Sequence, residues 1–173
     1  VRIYPAAGDQ RLQLMTVRAI TPPLPHSAMP DADWADCFEI FVPGERLSAE
    51  AVARRAFERM PSWVDRLMWL RNLLVRPFGL KRDRSAIPDG TPMVGFFPVT
   101  SASERELVLG FDDRHLDFRI VVLADQTADG GTRARLMTLI RRHNWLGRSY
   151  LAAIMPFHKL IVHRALSRIG LRN

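Results

Sequence analysis

At 173 residues and a formal net charge of +7, the chain is about one domain long and can bury a substantial core. Its apolar, charged and aromatic fractions of 47%, 25% and 9% exclude disordered and fibrous classes, and no apolar run approaches the roughly 20 residues that span a bilayer. Cys37 is the lone cysteine, which excludes an internal disulfide framework and fits a reducing compartment.

Residues 1–33 read as a partly irregular arm ahead of a single domain over 34–173. The opening stretch VRIYPAAGDQRLQ has no apolar core of a secretory signal, so a cytoplasmic location is expected. RLQLMTVRAI suits a short strand, and TPPLPHSAMP, with four prolines, breaks regular structure. DCFEIFV (36–42) reads as a strand ended by Pro43-Gly44.

Two helices are expected next. Ser48 can cap the first, with Leu47 and Val52 as a hydrophobic staple, and it runs to about Met60. Pro61 and Ser62 open the second, whose apolar stripe is Trp63, Leu67, Leu70 and Leu74, and Pro77 with Gly79 ends it. Its tryptophans and arginines also suit an interfacial membrane helix, although packing within a fold explains the same pattern. KRDRSAIPDGTP (81–92) is a polar loop.

From Met93 the apolar period becomes two. Strands are expected over 93–100, 105–111, 115–124 and 132–143. With Asp112-Asp113 as a two-residue turn, Leu109 faces Leu116, Leu107 faces Phe118, and Glu106 meets Arg119. In the next pair Phe118 meets Thr138 and Ile120 meets Leu136. One face is then apolar and the other charged. The last element is a long amphipathic helix from about Gly147 to Ile169, with a kink expected at Pro156.

The stretches DADWADCFEIFV (31–42), ERMPSWVDRLMWLRNLLVRPFGL (58–80), FDDRHLDFRIVV (111–122) and RRHNWLGRSYLAAIMPFHKLIVHRAL (141–166) resemble, in order, family 2867 of the domains of unknown function. The element order is similar to the helix-grip fold of the START/Bet v 1-like (SRPBCC) superfamily. That resemblance implies an α+β domain in which an antiparallel sheet wraps around the long Pro-kinked C-terminal helix, with two short helices after the first strand and a cavity between sheet and helix. Some relatives follow a short-chain-dehydrogenase-like domain, which implies a possible NAD(P)-binding oxidoreductase partner. This sequence itself has no Gly-x-Gly-x-x-Gly after a strand, so no cofactor is assigned.

The cavity is expected to be lined by Phe97, Leu107, Leu109, Leu116, Phe118, Leu136, Thr138, Ile154 and Met155. At its rim Asp112, Arg114 and Arg142 can hold an acidic group of a small, partly apolar ligand. A runner-up reading is an enzyme or oxidoreductase-accessory domain acting through Asp112, Arg114 and His143. No catalytic motif supports it: there is no Gly-x-Ser-x-Gly elbow, and no two histidines have helical zinc-site spacing, so no metal is assigned. RRHNWLGR (141–148) either binds phosphate at the start of the last helix or caps that helix through Asn144 while Trp145 covers the core. The net charge leaves nucleic acid or a membrane surface as a third, weaker alternative. The arginines spread over all elements instead of forming one tract.

Overall fold

The computed structural model describes residues 16–58 and 90–169. The elements are β1 (Arg18–Ile20), β2 (Trp34–Val42), α1 (Ala49–Phe57), β3 (Met93–Val94), β4 (Phe97–Ala102), β5 (Glu106–Phe111), β6 (Leu116–Gln126), β7 (Thr132–Arg142) and α2 (Trp145–Ile169). The strands form one antiparallel sheet in the order β1-β2-β7-β6-β5-β4-β3. The long helix and the short helix after the first long strand complete an α+β architecture consistent with a helix-grip fold. The second expected helix, near 62–76, lies outside the described residues.

Local chemistry explains most boundaries. Ser48 Oγ accepts from the Ala51 amide at 3.1 Å, capping α1. Leu47 before it and Val52 within it are both buried. The loop joining β2 to α1 is held by Thr132, whose hydroxyl donates to the Glu45 carbonyl at 2.6 Å and accepts from the Leu47 amide at 2.8 Å. The strand expected over 93–100 is two strands, because Gly95 takes φ +57° between them.

The meander keeps its expected faces but not its expected register. Leu109 pairs with Ile120 and Leu107 with Val122, because the β5–β6 connection is a wider loop over 112–115 and not a two-residue turn. Glu106 consequently lies opposite Leu123 and meets His26 at 3.3 Å, while Arg119 pairs with Asp112 at 2.7 Å. In the neighbouring pair, Phe118 faces Ile140 and Ile120 faces Thr138. Each offset is an even number of residues, which leaves every side chain on its original side. Arg114 is in the loop, and the residue opposite Arg142 is Leu116.

The two faces of the sheet are covered differently. Under the helices, Phe38, Ile40, Leu107, Leu109, Val122 and Leu136 pack against α1 and the C-terminal part of α2. The outer face is not uniformly charged: its centre holds Cys37, Val108, Val121, Met137 and Leu139, covered by Met29 and Ala28 from the proline-rich segment. That segment is fastened to β7 by Asp31–Arg141 at 2.7 Å and Asp33–Arg142 at 3.1 Å.

Burial at this second core pushes the Cys37 thiol up to about 11. The thiol stays neutral in the fold above the pH where an unfolded chain starts to ionise, so its contribution to stability is whole below pH 9.0 and is lost toward about 11. Iodoacetamide at pH ~8 is expected to leave the folded protein unmodified and to label it in denaturant. A Cys37→Ala variant should lack this part of the alkaline decline in stability.

Candidate functional site

Along α2, Leu151 is buried at one end, and Val162, Ala165, Leu166 and Ile169 at the other, yet no residue from 152 to 161 is fully buried. Pro156 lies on the exposed side of this middle stretch, through which the helix runs without interruption. The helix therefore packs most closely on the sheet at its two ends, while its middle meets the sheet through side chains such as Met155 and His158. There the structure holds a cavity of about 180 Å³. Its floor is Leu116, Phe118 and Ile120 of β6 with Leu136, Thr138 and Ile140 of β7, and its roof is Tyr150, Ile154, His158 and Ile161 of α2.

One wall is aromatic. Phe57 from the end of α1 meets Phe97 edge-on at 5.6 Å, Phe97 meets Phe118 at 5.9 Å, and Phe118 meets Phe111 at 5.8 Å. Such pairs prefer these tilted and edge geometries, and each adds about 0.5–1.5 kcal/mol beyond its buried area.

The first turn of α2 forms one end of the site. Asn144 Oδ1 accepts from the Gly147 amide at 3.0 Å, so Asn144 caps the helix as the cap reading expects. That bond fixes the amide orientation and makes Nδ2 the donor toward His115 Nδ1 at 3.1 Å. The neutral His115 ring therefore carries its hydrogen on Nε2. Gly147 is pressed against this loop: a Cβ there would meet the His115 carbonyl oxygen at 2.2 Å. Asn144→Ala should lower stability by about 1 kcal/mol, read as a fall in melting temperature of about 2–4 °C. Trp145 does not cover the core. It is 73% exposed, because the cap directs the first helical residue outward and turns Leu146 and Tyr150 inward.

The expected site residues separate into groups. Phe97, Leu116, Phe118, Leu136, Thr138 and Ile154 come together around the cavity. Leu107 and Leu109 are buried in the core beneath the helices, and Met155 packs beside Leu116, Ile140 and Leu151. The rim residues do not converge. Asp112 holds Arg119, Arg114 is exposed in the loop, Arg142 turns to Asp33, and His143 meets Asp117 at 3.0 Å.

Sequence reading missed a polar pair at the roof. His158 Nε2 lies 2.8 Å from Asp36 Oδ2, and Trp34 and the imidazole meet in a T-shaped contact with centroids 5.8 Å apart. The second carboxylate oxygen, Asp36 Oδ1, is buried and has no hydrogen-bond partner among the described residues. A signal was present in β2. Trp34, Asp36, Phe38, Ile40 and Val42 share the helix-facing register, so Asp36 is a carboxylate on an apolar face.

An antiparallel sheet closed by one long helix over an aromatic-walled cavity defines the class of helix-grip-like α+β domains. Residues 28–165 match the model of the family described as protein of unknown function (DUF2867), and the chain belongs to that family. No curated protein matches it. Among the described residues no helix is long and apolar enough to cross a membrane.

Proposed function

We propose that the protein is a START/Bet v 1-like domain of the cytoplasm that binds one small, mostly apolar molecule between β6, β7 and α2. The observation that carries this reading is the cavity beneath the middle of α2, lined mostly by aliphatic and aromatic side chains with a few polar ones among them.

Size limits the occupant. An apolar cavity of about 150 Å³ holds benzene, whereas drug-sized ligands occupy pockets of roughly 300–1,000 Å³. A cavity of about 180 Å³ thus suits a single ring or a short branched chain. Charge limits it further: the described lining includes Asp113 but no lysine or arginine. The ligand is accordingly neutral, and the acidic group expected from the sequence has no cation waiting for it among these residues.

Native mass spectrometry of the purified protein, set against its denatured mass, tests the reading. The expected result is an excess mass released on denaturation, or taken up when benzene or toluene is added. An Ile154→Trp variant, which fills the cavity from its roof, should fold and lose this uptake. Equal uptake by the filled variant would place the ligand elsewhere.

A further inference from the structure

We propose that His158, oriented by Asp36, is the polar anchor of the cavity and selects a ligand that ends in a neutral hydroxyl group. The inference rests on the reading of the cavity as a ligand site and adds the chemistry that site would recognise.

An ionised carboxylate can only accept hydrogen bonds, so at 2.8 Å from Asp36 Oδ2 the Nε2 atom of His158 carries the hydrogen. In the tautomer that this bond selects, the lone pair is on Nδ1. His158 lines the cavity, while Asp36 lies behind it on β2, opposite Thr138 in the strand register. Trp34 restricts the ring from its side. A carboxylate behind an imidazole fixes its tautomer and makes the far nitrogen a better acceptor. The lining thereby includes an oriented imidazole beside the oxygen-bearing side chains of Asp113 and Thr138.

Charge decides which donor fits. The cavity has the Asp36 carboxylate behind His158 and Asp113 in its lining, with no lysine or arginine among the described lining residues. An anionic ligand would meet repulsion and would lose its hydration without a paired cation. A cationic ligand would need its charge desolvated against an aromatic and aliphatic wall. A neutral alcohol or phenol brings one hydrogen for Nδ1 and leaves the rest of its surface to the phenylalanines. The asymmetry of the site supports this: its apolar rings gather at Phe97 and Phe118, and its imidazole sits on the helix above.

Phenol and benzene distinguish the anchor from a merely apolar hole, because they differ by one hydroxyl. In a cavity without an acceptor, phenol binds more weakly than benzene, since its hydroxyl loses water and gains nothing. The anchor reverses that order. Calorimetric titration of the wild-type protein should give roughly tenfold tighter binding of phenol than of benzene, with no detectable binding of benzoate. In the double variant Asp36→Leu/His158→Phe, which leaves no unpaired carboxylate, the order should invert. Imidazole nitrogen NMR on the wild-type protein supplies a second readout that needs no variant: phenol, and not benzene, should shift His158 Nδ1.

Benzene binding tighter than phenol in the wild-type protein would overturn the anchor and leave the cavity reading standing. Phenol preference surviving in the double variant would also overturn it, by assigning the hydroxyl to another group. If neither probe binds, the cavity reading falls and the anchor with it.

Discussion

Gly110→Ala is expected to destabilise the protein by about 3–5 kcal/mol, seen as a fall in melting temperature of about 10 °C or more. Gly110 sits near the end of β5 with φ +147°, a conformation that side-chain-bearing residues rarely adopt. A Cβ built there would lie 2.1 Å from the Phe118 carbonyl oxygen and 3.0 Å from Arg119 Cα. Both atoms are backbone, so no side chain can rotate away, and the two strands would have to separate. They separate where Phe111 faces Phe118, in the aromatic wall of the cavity. Gly130→Ala is the natural control, since Gly130 also has a positive φ of +80° but open space around it. It should cost only about 1 kcal/mol. Denaturant melts of both variants check the argument, and equal losses would show that the close approach at Gly110 is not rigid.

His158→Phe should cost about 2–3 kcal/mol, and most of that loss should return in Asp36→Leu/His158→Phe. The single substitution keeps ring bulk beside Trp34 but removes the only hydrogen-bond partner that Asp36 has among the described side chains. The carboxylate would then remain desolvated with neither oxygen satisfied, the situation in which breaking a pair costs more than replacing both members. The side chains of His158 and Asp36 are 15% and 18% exposed, and that residual access to water keeps the estimate below the roughly 3–5 kcal/mol of a fully buried pair. A double-mutant cycle in urea measures the coupling directly. Additive losses would mean that the pair does not act as a unit.

The fold was legible in the sequence where a single physical rule governed it. Short apolar runs with partial alternation in ELVLGF and LDFRIVV placed β5 and β6, and Ser48 and Asn144 marked the starts of their helices. Register was harder, because periodicity of two is blind to slips of two or four residues. The turn that decides the matter, Asp112 to His115, carries no Gly that would impose a tight hairpin. The covering of the outer face was hidden for another reason. TPPLPHSAMP breaks regular structure, yet an irregular segment can still place Met29 over Cys37 and Met137.

Phe97, Phe118 and Leu136, whose strand positions the sequence periodicity indicates, lie around the cavity. The polar pair was not indicated in this way. Asp36 and His158 lie 122 residues apart in the chain, and the packing of α2 on β2 brings them together. Asp36 is in a strand and His158 in the last helix, so neither sequence context points to the other. The cavity itself comes from a negative feature of α2, the absence of a fully buried residue between Leu151 and Val162. Composition gives no hint of that, because Ile154, Ile161 and Phe157 are as apolar as the residues that do pack.

The most direct test of the account is a benzene titration followed by methyl NMR. The account predicts saturable shifts in the methyl groups of Leu116, Ile120, Leu136 and Ile154, which surround the cavity. It also predicts silence from Val108, Val121 and Leu139 on the outer face and loss of the response in Ile154→Trp. Saturable shifts confined to the outer-face methyls, or no saturation at any methyl, would contradict the claim that the space beneath α2 is a binding site.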